Sequence, residues 1–91
     1  MTETEFEFIR ELLTREKSAF AKTEFDKITP ENSVRYWLIK GQIEQKFQNW
    51  GDALNAYYKV IELDETNQTA RHNSAVIRGI LNFWSPEMFN P

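Results

Sequence analysis

An all-α fold is predicted by three features of the sequence. Apolar residues recur at steps of three and four residues along most of the chain, which places them on helix faces. The chain also contains an internal repeat, because Ala21, Phe25 and Ile28 are followed, each at the same separation, by Ala53, Tyr57 and Val60. We call the separation between Ala21 and Ala53 the repeat spacing. The small residues Gly41 and Ala53 lie where two antiparallel helices would approach most closely. These features predict an all-α fold of stacked helical hairpins.

Length and composition limit the chain to one small domain. Ninety-one residues make one domain at most, and they supply little core volume. Stacked hairpins solve this problem because each buries a face on its neighbour. The aromatic content of 14% is high for so short a chain, so we expect aromatic rings to fill much of the core.

The charge distribution argues against several classes of partner. Residues 1–31 contain eight acids and five bases, whereas residues 32–91 contain six of each. A basic face is missing, and phosphate neutralisation supplies most nucleic-acid affinity, so DNA and RNA are not expected partners. The chain has no apolar run of about eighteen residues, so no membrane contact is expected. An acidic N-terminus, where a signal peptide is basic, and the lack of cysteine favour a cytoplasmic location.

The first helix is predicted over residues 3–17. Its apolar face consists of Phe6, Ile9, Leu12 and Leu13. The repeated apolar set at Ala21 predicts a second helix, with Ser18 as its N-cap. Residues 14–19 contain neither Gly nor Pro, so one long bent helix stays open as an alternative.

The third and fourth helices are predicted over residues 34–47 and 50–63. Residues 29–33, Thr-Pro-Glu-Asn-Ser, end the second helix and provide polar caps for the third. The third helix has apolar residues on two sides, which is typical of a helix inside a stack. Gln48 and Asn49 form the turn that follows, and we expect Asn49 to take the left-handed conformation.

A fifth helix is predicted from Gln68 to Phe83, after a turn at residues 64–67. One of its faces consists of Ala70, Ser74, Ile77 and Leu81, and the adjacent one of Val76, Ile80 and Phe83. The chain then ends W-S-P-E-M-F-N-P, in which Ser85 can cap a turn opened by Pro86. We expect Met88 and Phe89 to fold back over the second face and act as a cap, or else to dock into a partner.

Residues 34–67 resemble a tetratricopeptide repeat, a helix-turn-helix unit of about 34 residues. The positions that fall on the family pattern are Trp37, Gly41, Ala53, Tyr57, Leu63 and Asp64. The positions that depart from it are Lys40, Glu44, Val60 and Glu65. The resemblance implies an α-α superhelix of about two repeats plus a C-terminal capping helix.

The same resemblance divides the chain into four parts. Residues 1–32 are a degenerate first repeat, residues 33–67 the central repeat, residues 68–84 the capping helix and residues 85–91 an aromatic tail. The tail is similar to the ends of short bacterial members of the family. A single domain over residues 1–91 is thus expected.

Family members bind proteins in a concave groove lined by the first helix of each repeat. The resemblance assigns to that groove Arg35, Leu38, Ile39, Gln42 and Gln45 from the third helix and Thr69, His72, Asn73 and Val76 from the fifth. Chaperone-binding members grip a carboxylate with Lys and Asn, where this chain has Phe6 and Arg10. That carboxylate clamp is therefore not expected, and Asn73 at a clamp-like position is read as a coincidence.

No constellation of catalytic or metal-binding residues is visible. His72 is the single histidine, and neither Ser74 nor Ser85 lies in a G-x-S-x-G context. The carboxylate pairs at helical spacing, Glu3 with Glu7 and Glu62 with Glu65, are expected to be solvated. The triplet Asn67-Gln68-Thr69 is read as a helix start rather than a glycosylation site. No cofactor, metal or catalytic residue is predicted.

Two functions are therefore retained. The first is a non-enzymatic interaction module that presents its groove to a peptide or a partner helix. The alternative is a structural unit that associates with itself, for instance as a homodimer, since two repeats fall below the usual minimum for stability. A small helical enzyme and a helical-repeat RNA-binding protein are both disfavoured.

Overall fold

The computed structural model describes residues 3–84, which form five α-helices and contain no β-strand. In chain order the helices are α1 (Glu3–Thr14), α2 (Ser18–Asp26), α3 (Val34–Lys46), α4 (Trp50–Leu63) and α5 (Gln68–Trp84). The all-α prediction is confirmed. α1 packs on α2, α3 packs on α4, and α5 packs on α4, while α3 also contacts both α1 and α2. α3 is therefore the central helix of the described residues.

The turn between α1 and α2 differs from the prediction. α1 ends at Thr14 rather than Lys17, and Ser18 is the first residue of α2 rather than its N-cap. Lys17 occupies the N-cap position and makes no side-chain capping hydrogen bond. Glu16 in this turn has a φ angle of 59°. The chain changes direction here, so the alternative of one long bent helix is wrong.

Main-chain hydrogen bonds close this first turn. The N–H of Lys17 donates to the carbonyl oxygen of Leu12 at 2.8 Å, and the N–H of Glu16 donates to that of Leu13 at 3.1 Å. This pair of bonds, with a left-handed residue at the turn, is the Schellman ending of a helix. Glycine is the usual residue at such a position because it has no Cβ. The turn therefore forms here without its usual residue.

The turn after α3 has the same bonds, displaced along the chain by the repeat spacing. The N–H of Asn49 donates to the carbonyl oxygen of Glu44 at 2.9 Å, and the N–H of Gln48 donates to that of Gln45 at 3.0 Å. Gln48 has a φ of 61° and Asn49 a φ of −83°. The prediction that Asn49 is the left-handed residue is therefore wrong. The internal repeat extends from apolar positions to the backbone of the two turns.

Side-chain caps begin α3 and α5 as the sequence predicts. The Oγ of Ser33 accepts a hydrogen bond from the N–H of Tyr36 at 3.2 Å. The Oδ1 of Asn67 accepts one from the N–H of Ala70 at 3.0 Å. Each bond satisfies a donor that the first turn of a helix leaves free. Asn67 thus caps the start of α5, in agreement with the prediction that its triplet is a helix start.

The buried side chains form two clusters. The first, between α1, α2 and α3, consists of Phe6, Ile9, Leu13, Ala21, Phe25, Tyr36, Ile39 and Ile43. The second, on α4 and α5, consists of Ala53, Tyr57, Val60, Ala70, Ile77 and Leu81. Trp37 packs against both clusters, and its Nε1 donates to Asn32 Oδ1 at 2.9 Å. Trp37 therefore joins the two halves of the core.

Gly41 permits the close approach of α3 and α4. A Cβ at this position would lie 2.8 Å from Cε1 of the Tyr57 ring and 2.9 Å from its Cζ. Such distances are below van der Waals contact, and the Tyr57 side chain is fully buried. The small residue predicted at this seam is thus required by the ring that lies against it.

α5 buries the first of its two apolar faces. Ala70, Ser74, Ile77 and Leu81 are all buried, as predicted. On the adjacent face Val76 is 41% exposed and Ile80 is half-buried. The cap expected from Met88 and Phe89, and the turn expected at Ser85 and Pro86, lie outside the described residues.

Candidate functional site

Four of the predicted groove residues share one face of α3. Arg35, Leu38, Gln42 and Gln45 follow one another at steps of three or four residues, and all four are half-buried. We call this set the α3 stripe. The other two sides of α3 face the first core cluster and α4. The stripe is therefore the side of the central helix that is left partly open to solvent.

Ile39 does not belong to this open side. It is 1% exposed and lies in the first core cluster beside Tyr36 and Ile43. α3 buries two of its sides, and Ile39 lies at the edge of one of them. Its side chain therefore offers no surface to a partner, although the resemblance assigned it to the groove.

A cleft of about 300 Å³ runs between α1 and α3 along one side of the stripe. Its lining residues are Arg10, Leu13, Thr14, Gln42 and Lys46. We call it the basic cleft, because two cations line it and no carboxylate does. Lys46 Nζ lies 4.0 Å from Glu16 Oε1, and both side chains are exposed, so this pair is weak. Two cationic side chains thus line a cleft beside the α3 stripe of an acidic protein.

Gln42 was expected at this site from the family resemblance, whereas Arg10 and Lys46 were not. Arg10 was considered only as a failed clamp position. The internal repeat was the signal that could have found it, since Arg10 precedes Gln42 by the repeat spacing. Lys46 lies one turn beyond Gln42 on α3.

The Tyr57 hydroxyl connects α3 to α5. It donates a hydrogen bond to Gln45 Oε1 at 2.8 Å and accepts one from Asn73 Nδ2 at 3.2 Å. Burial raises the pKa of Tyr57 to about 12, so the hydroxyl keeps its proton near neutral pH. Two predicted site residues from different helices are thereby fixed next to each other. Sequence reasoning treated Tyr57 as a core residue only, because its hydroxyl partners lie on other helices.

Arg35 is held at the start of α3 by two contacts. Its Nε donates to Glu31 Oε2 at 3.0 Å, and its guanidinium lies 4.3 Å from the centre of the Phe6 ring. Hydrogen bonds from Arg35 and Ser33 lower the pKa of Glu31. Arg35 therefore contributes an ordered cation whose charge is partly balanced by a neighbouring carboxylate.

The α5 residues assigned to the site differ in their exposure. Asn73 is half-buried and donates to the Tyr57 hydroxyl, whereas Thr69, His72 and Val76 are exposed. The arrangement brings Asn73 together with Gln45. Among the described residues, no hydrogen bond of this kind links His72 or Val76 to the α3 stripe.

A buried carboxylate at the seam of α2 and α3 was not anticipated. Glu44 is 6% exposed, its Oε1 accepts from Lys22 Nζ at 3.0 Å, and its Oε2 accepts from Asn49 Nδ2 at 2.9 Å. Burial raises the pKa of Glu44, but the bonds from Asn49 and Lys22 outweigh it and hold the pKa below its usual value. Glu44 therefore ties α2 to α3 and to the turn that follows.

Neither a metal site nor a related protein identifies a ligand for the described residues. In residues 3–84 no group of three or more His, Asp or Glu side chains is placed to hold a metal ion, and none of the five described helices combines the length and apolar character of a bilayer span. Comparison of the sequence with protein-family models, curated proteins and solved structures found no match. The tetratricopeptide resemblance therefore rests on this chain's own residues.

Proposed function

We propose that this protein is a non-enzymatic interaction module whose groove binds a peptide or a partner helix. The observation that carries the proposal is the α3 stripe, which stays half-buried while two other sides of α3 are packed. Side chains from three helices adjoin there: Arg10 from α1, Gln42 and Gln45 from α3, and Asn73 from α5. Such a surface, which follows the axis of α3, suits an extended peptide or a partner helix.

A tetratricopeptide-like stack is the arrangement that we propose for the helices. Three observations support it. The hairpins α1–α2 and α3–α4 end their first helices with the same bonds, one repeat spacing apart. Gly41 lies against Tyr57, at the seam where the family pattern has small and aromatic residues. α5 follows as a single helix on α4, as a capping helix would.

The side chains of the groove suit a polar segment with some acidic character. Gln42, Gln45 and Asn73 carry amides that both donate and accept hydrogen bonds. Arg10 and Lys46 give the basic cleft its positive charge. The expected location, the cytoplasm of a bacterium, and the absence of enzymatic activity are parts of this proposal.

Selection from a displayed library of random peptides tests the groove. The wild-type chain should select binders, and Gln42→Ala with Lys46→Ala and His72→Ala should weaken each selected peptide by about tenfold or more, which equals about 1.4 kcal/mol. Leu38 is left in place because it packs against the second core cluster. Circular dichroism should show unchanged helix content, since the three replaced side chains are not buried.

A matched variant controls for the number of substitutions. Asn55→Ala with Lys59→Ala and Glu62→Ala changes three exposed residues of α4. This control should keep wild-type affinity for the selected peptides. Equal affinity of the groove variant and the wild type, or an equal loss in both variants, would reject the groove as the binding surface.

A further inference from the structure

The first and last described helices, α1 and α5, each have an outer side, and the two outer sides differ. α1 packs on α2 and α3, and α5 packs on α4, so each of these terminal helices leaves a side without a neighbouring helix among the described residues. Neither outer side includes the α3 stripe. The two sides differ in shape and in charge.

The outer side of α1 carries an exposed aromatic ring. Phe8 is 52% exposed, and it lines two shallow clefts, one shared with Ile28 of α2 and the other with Leu12. A ring with a cleft on each side forms a ridge. Glu7 and Glu11 are exposed beside it, and Glu11 pairs with Arg15 at 2.8 Å across an exposed surface. α1 as a whole contains four glutamates and one arginine.

The opposite end carries a cleft and positive charge. A cleft of about 200 Å³ between α4 and α5, which we call the end cleft, is lined by Leu54, Tyr58, Arg78, Leu81 and Asn82. The Arg78 guanidinium donates to the Tyr58 hydroxyl at 3.1 Å, which fixes it at the rim. α5 contains Arg71 and Arg78 and no carboxylate.

Small residues keep this end open. Ala75 and Gly79 are exposed on α5 next to Arg78. A Cβ added at Gly79 would meet nothing within 4 Å. An incoming side chain can therefore approach the α5 backbone closely at this point.

We propose that a second copy of this chain docks head to tail on these faces. The Phe8 ridge of one copy enters the end cleft of the next, and Glu7 and Glu11 lie opposite Arg71 and Arg78. An aromatic ridge fits a cleft that contains Leu54, Tyr58 and Leu81, and the charges of the two helices are opposite. The contact is heterologous, because it uses different surfaces on the two copies. An assembly of several copies therefore has an unoccupied ridge at one end and an unoccupied end cleft at the other.

Sedimentation across a range of protein concentrations tests this contact. The wild-type chain should associate as its concentration rises, and added salt should weaken the association because salt screens exposed charges. Phe8→Glu should stay monomeric, since it places a charge on the ridge. Gly79→Glu should also stay monomeric, because it places a carboxylate on the exposed side of α5 next to Arg78, where Glu7 and Glu11 of the other copy would lie.

Mixing the two variants gives the decisive result. Phe8→Glu retains an intact end cleft and Gly79→Glu retains an intact ridge, so the mixture should form a one-to-one dimer and nothing larger. Phe20→Glu is the control, because Phe20 is 65% exposed on α2 and belongs to neither face; it should associate like the wild type. A wild type that is monomeric at every concentration, a Phe8→Glu variant that still associates, or a mixture that stays monomeric would overturn the proposal.

Discussion

The two helical hairpins close with the same backbone turn but are filled by different side chains. In the second hairpin Gly41 of α3 lets the Tyr57 ring lie against the helix backbone. The equivalent residues of the first hairpin, one repeat spacing earlier, are Ile9 and Phe25, both of them buried. Two large side chains thus take the place of a glycine and an aromatic ring. The turn can therefore repeat while the seam between the helices varies.

The hairpins also differ in how firmly their second helices are held. α2 has nine residues and packs on α1 and α3, whereas α4 has fourteen residues and packs on α3 and α5; neither helix begins with a side-chain capping hydrogen bond. α2 is held to α3 by the ring pair Phe25–Tyr36, with centroids 4.9 Å apart, and by the bond between Lys22 and Glu44. We expect α2 to open before α4, because it has less packing around it and is the shorter helix.

The largest loss of stability is expected from a substitution that affects both core clusters. Trp37→Ala removes the side chain that packs against both core clusters, and it should cost about 3–5 kcal/mol of unfolding free energy through the cavity that it leaves. Urea denaturation measures this loss. Trp50→Ala is the control, because Trp50 packs on the second cluster alone and should cost less. Equal losses in the two variants would show that Trp37 does not join the clusters.

The second effect isolates the seam of the second hairpin. Gly41→Ala should destabilise the protein by about 1–3 kcal/mol, because the buried Tyr57 ring has no room for a Cβ. Gly79→Ala should instead stabilise it by up to about 1 kcal/mol, since the site is open and alanine favours helix. Thermal melts of the two variants should therefore move in opposite directions. Stabilisation at both positions would mean that the Tyr57 ring moves to make room for the Cβ.

The third effect is directed at the contact between α2 and α3. Glu44→Gln removes the charge that binds Lys22 and should cost about 1–2 kcal/mol, a modest value because solvent reaches the partly exposed Lys22. Hydrogen exchange should accelerate at α2 amides and change little at α4 amides. Exchange that accelerates equally in both helices would contradict the comparison.

The same carboxylate makes part of the stability depend on pH. The pKa of Glu44 is lower in the folded chain than its usual value of 4.5, so folding favours the ionised form. Its contribution is complete above pH 4.5 and is lost as the pH falls through the lower folded-state pKa. Denaturation of the wild type at falling pH should show this extra loss, and Glu44→Gln should lack it.

The smallest effect tests whether the two turns are equivalent. Glu16→Gly and Gln48→Gly should each stabilise the protein by about 0.5–1 kcal/mol, because both residues have left-handed φ angles that glycine adopts without a Cβ clash. Asn49→Gly is the control, and with a φ of −83° it should bring no gain. Gains at one turn alone would show that the turns carry different strain.

The sequence was sufficient for features that depend on local spacing. The helical faces of α1 and α5 followed from apolar residues at steps of three and four, and the caps at Ser33 and Asn67 from residues that accept backbone hydrogen bonds. The four half-buried residues of the α3 stripe were instead assigned by the family resemblance, and they share one face of the helix. Whether those residues bind a partner stays a prediction.

Features that depend on contacts between distant residues were missed. Glu44 is buried because Lys22, on another helix, reaches its carboxylate, and no local pattern encodes that meeting. Ile39 is a mixed case, because apolar residues on two sides of α3 predicted a helix packed on both, whereas the family resemblance assigned Ile39 to the groove; it lies in the core. The left-handed residues are glutamate and glutamine, so residue preference alone pointed to Asn49 instead. The role of Tyr57 at the junction of α3 and α5 likewise required the helices to be seen together.

The closing of both turns by main-chain hydrogen bonds has an evolutionary consequence. Glu16 and Gln48 hold the same backbone shape without the glycine that such a turn usually contains, so the turn does not depend on glycine at its central position. A duplicated gene segment could therefore diverge at these codons without losing the hairpin that it encodes. Common ancestry of two such units would then persist in backbone geometry after it had faded from the amino-acid letters, and whole hairpins could be gained or lost without a new turn having to arise.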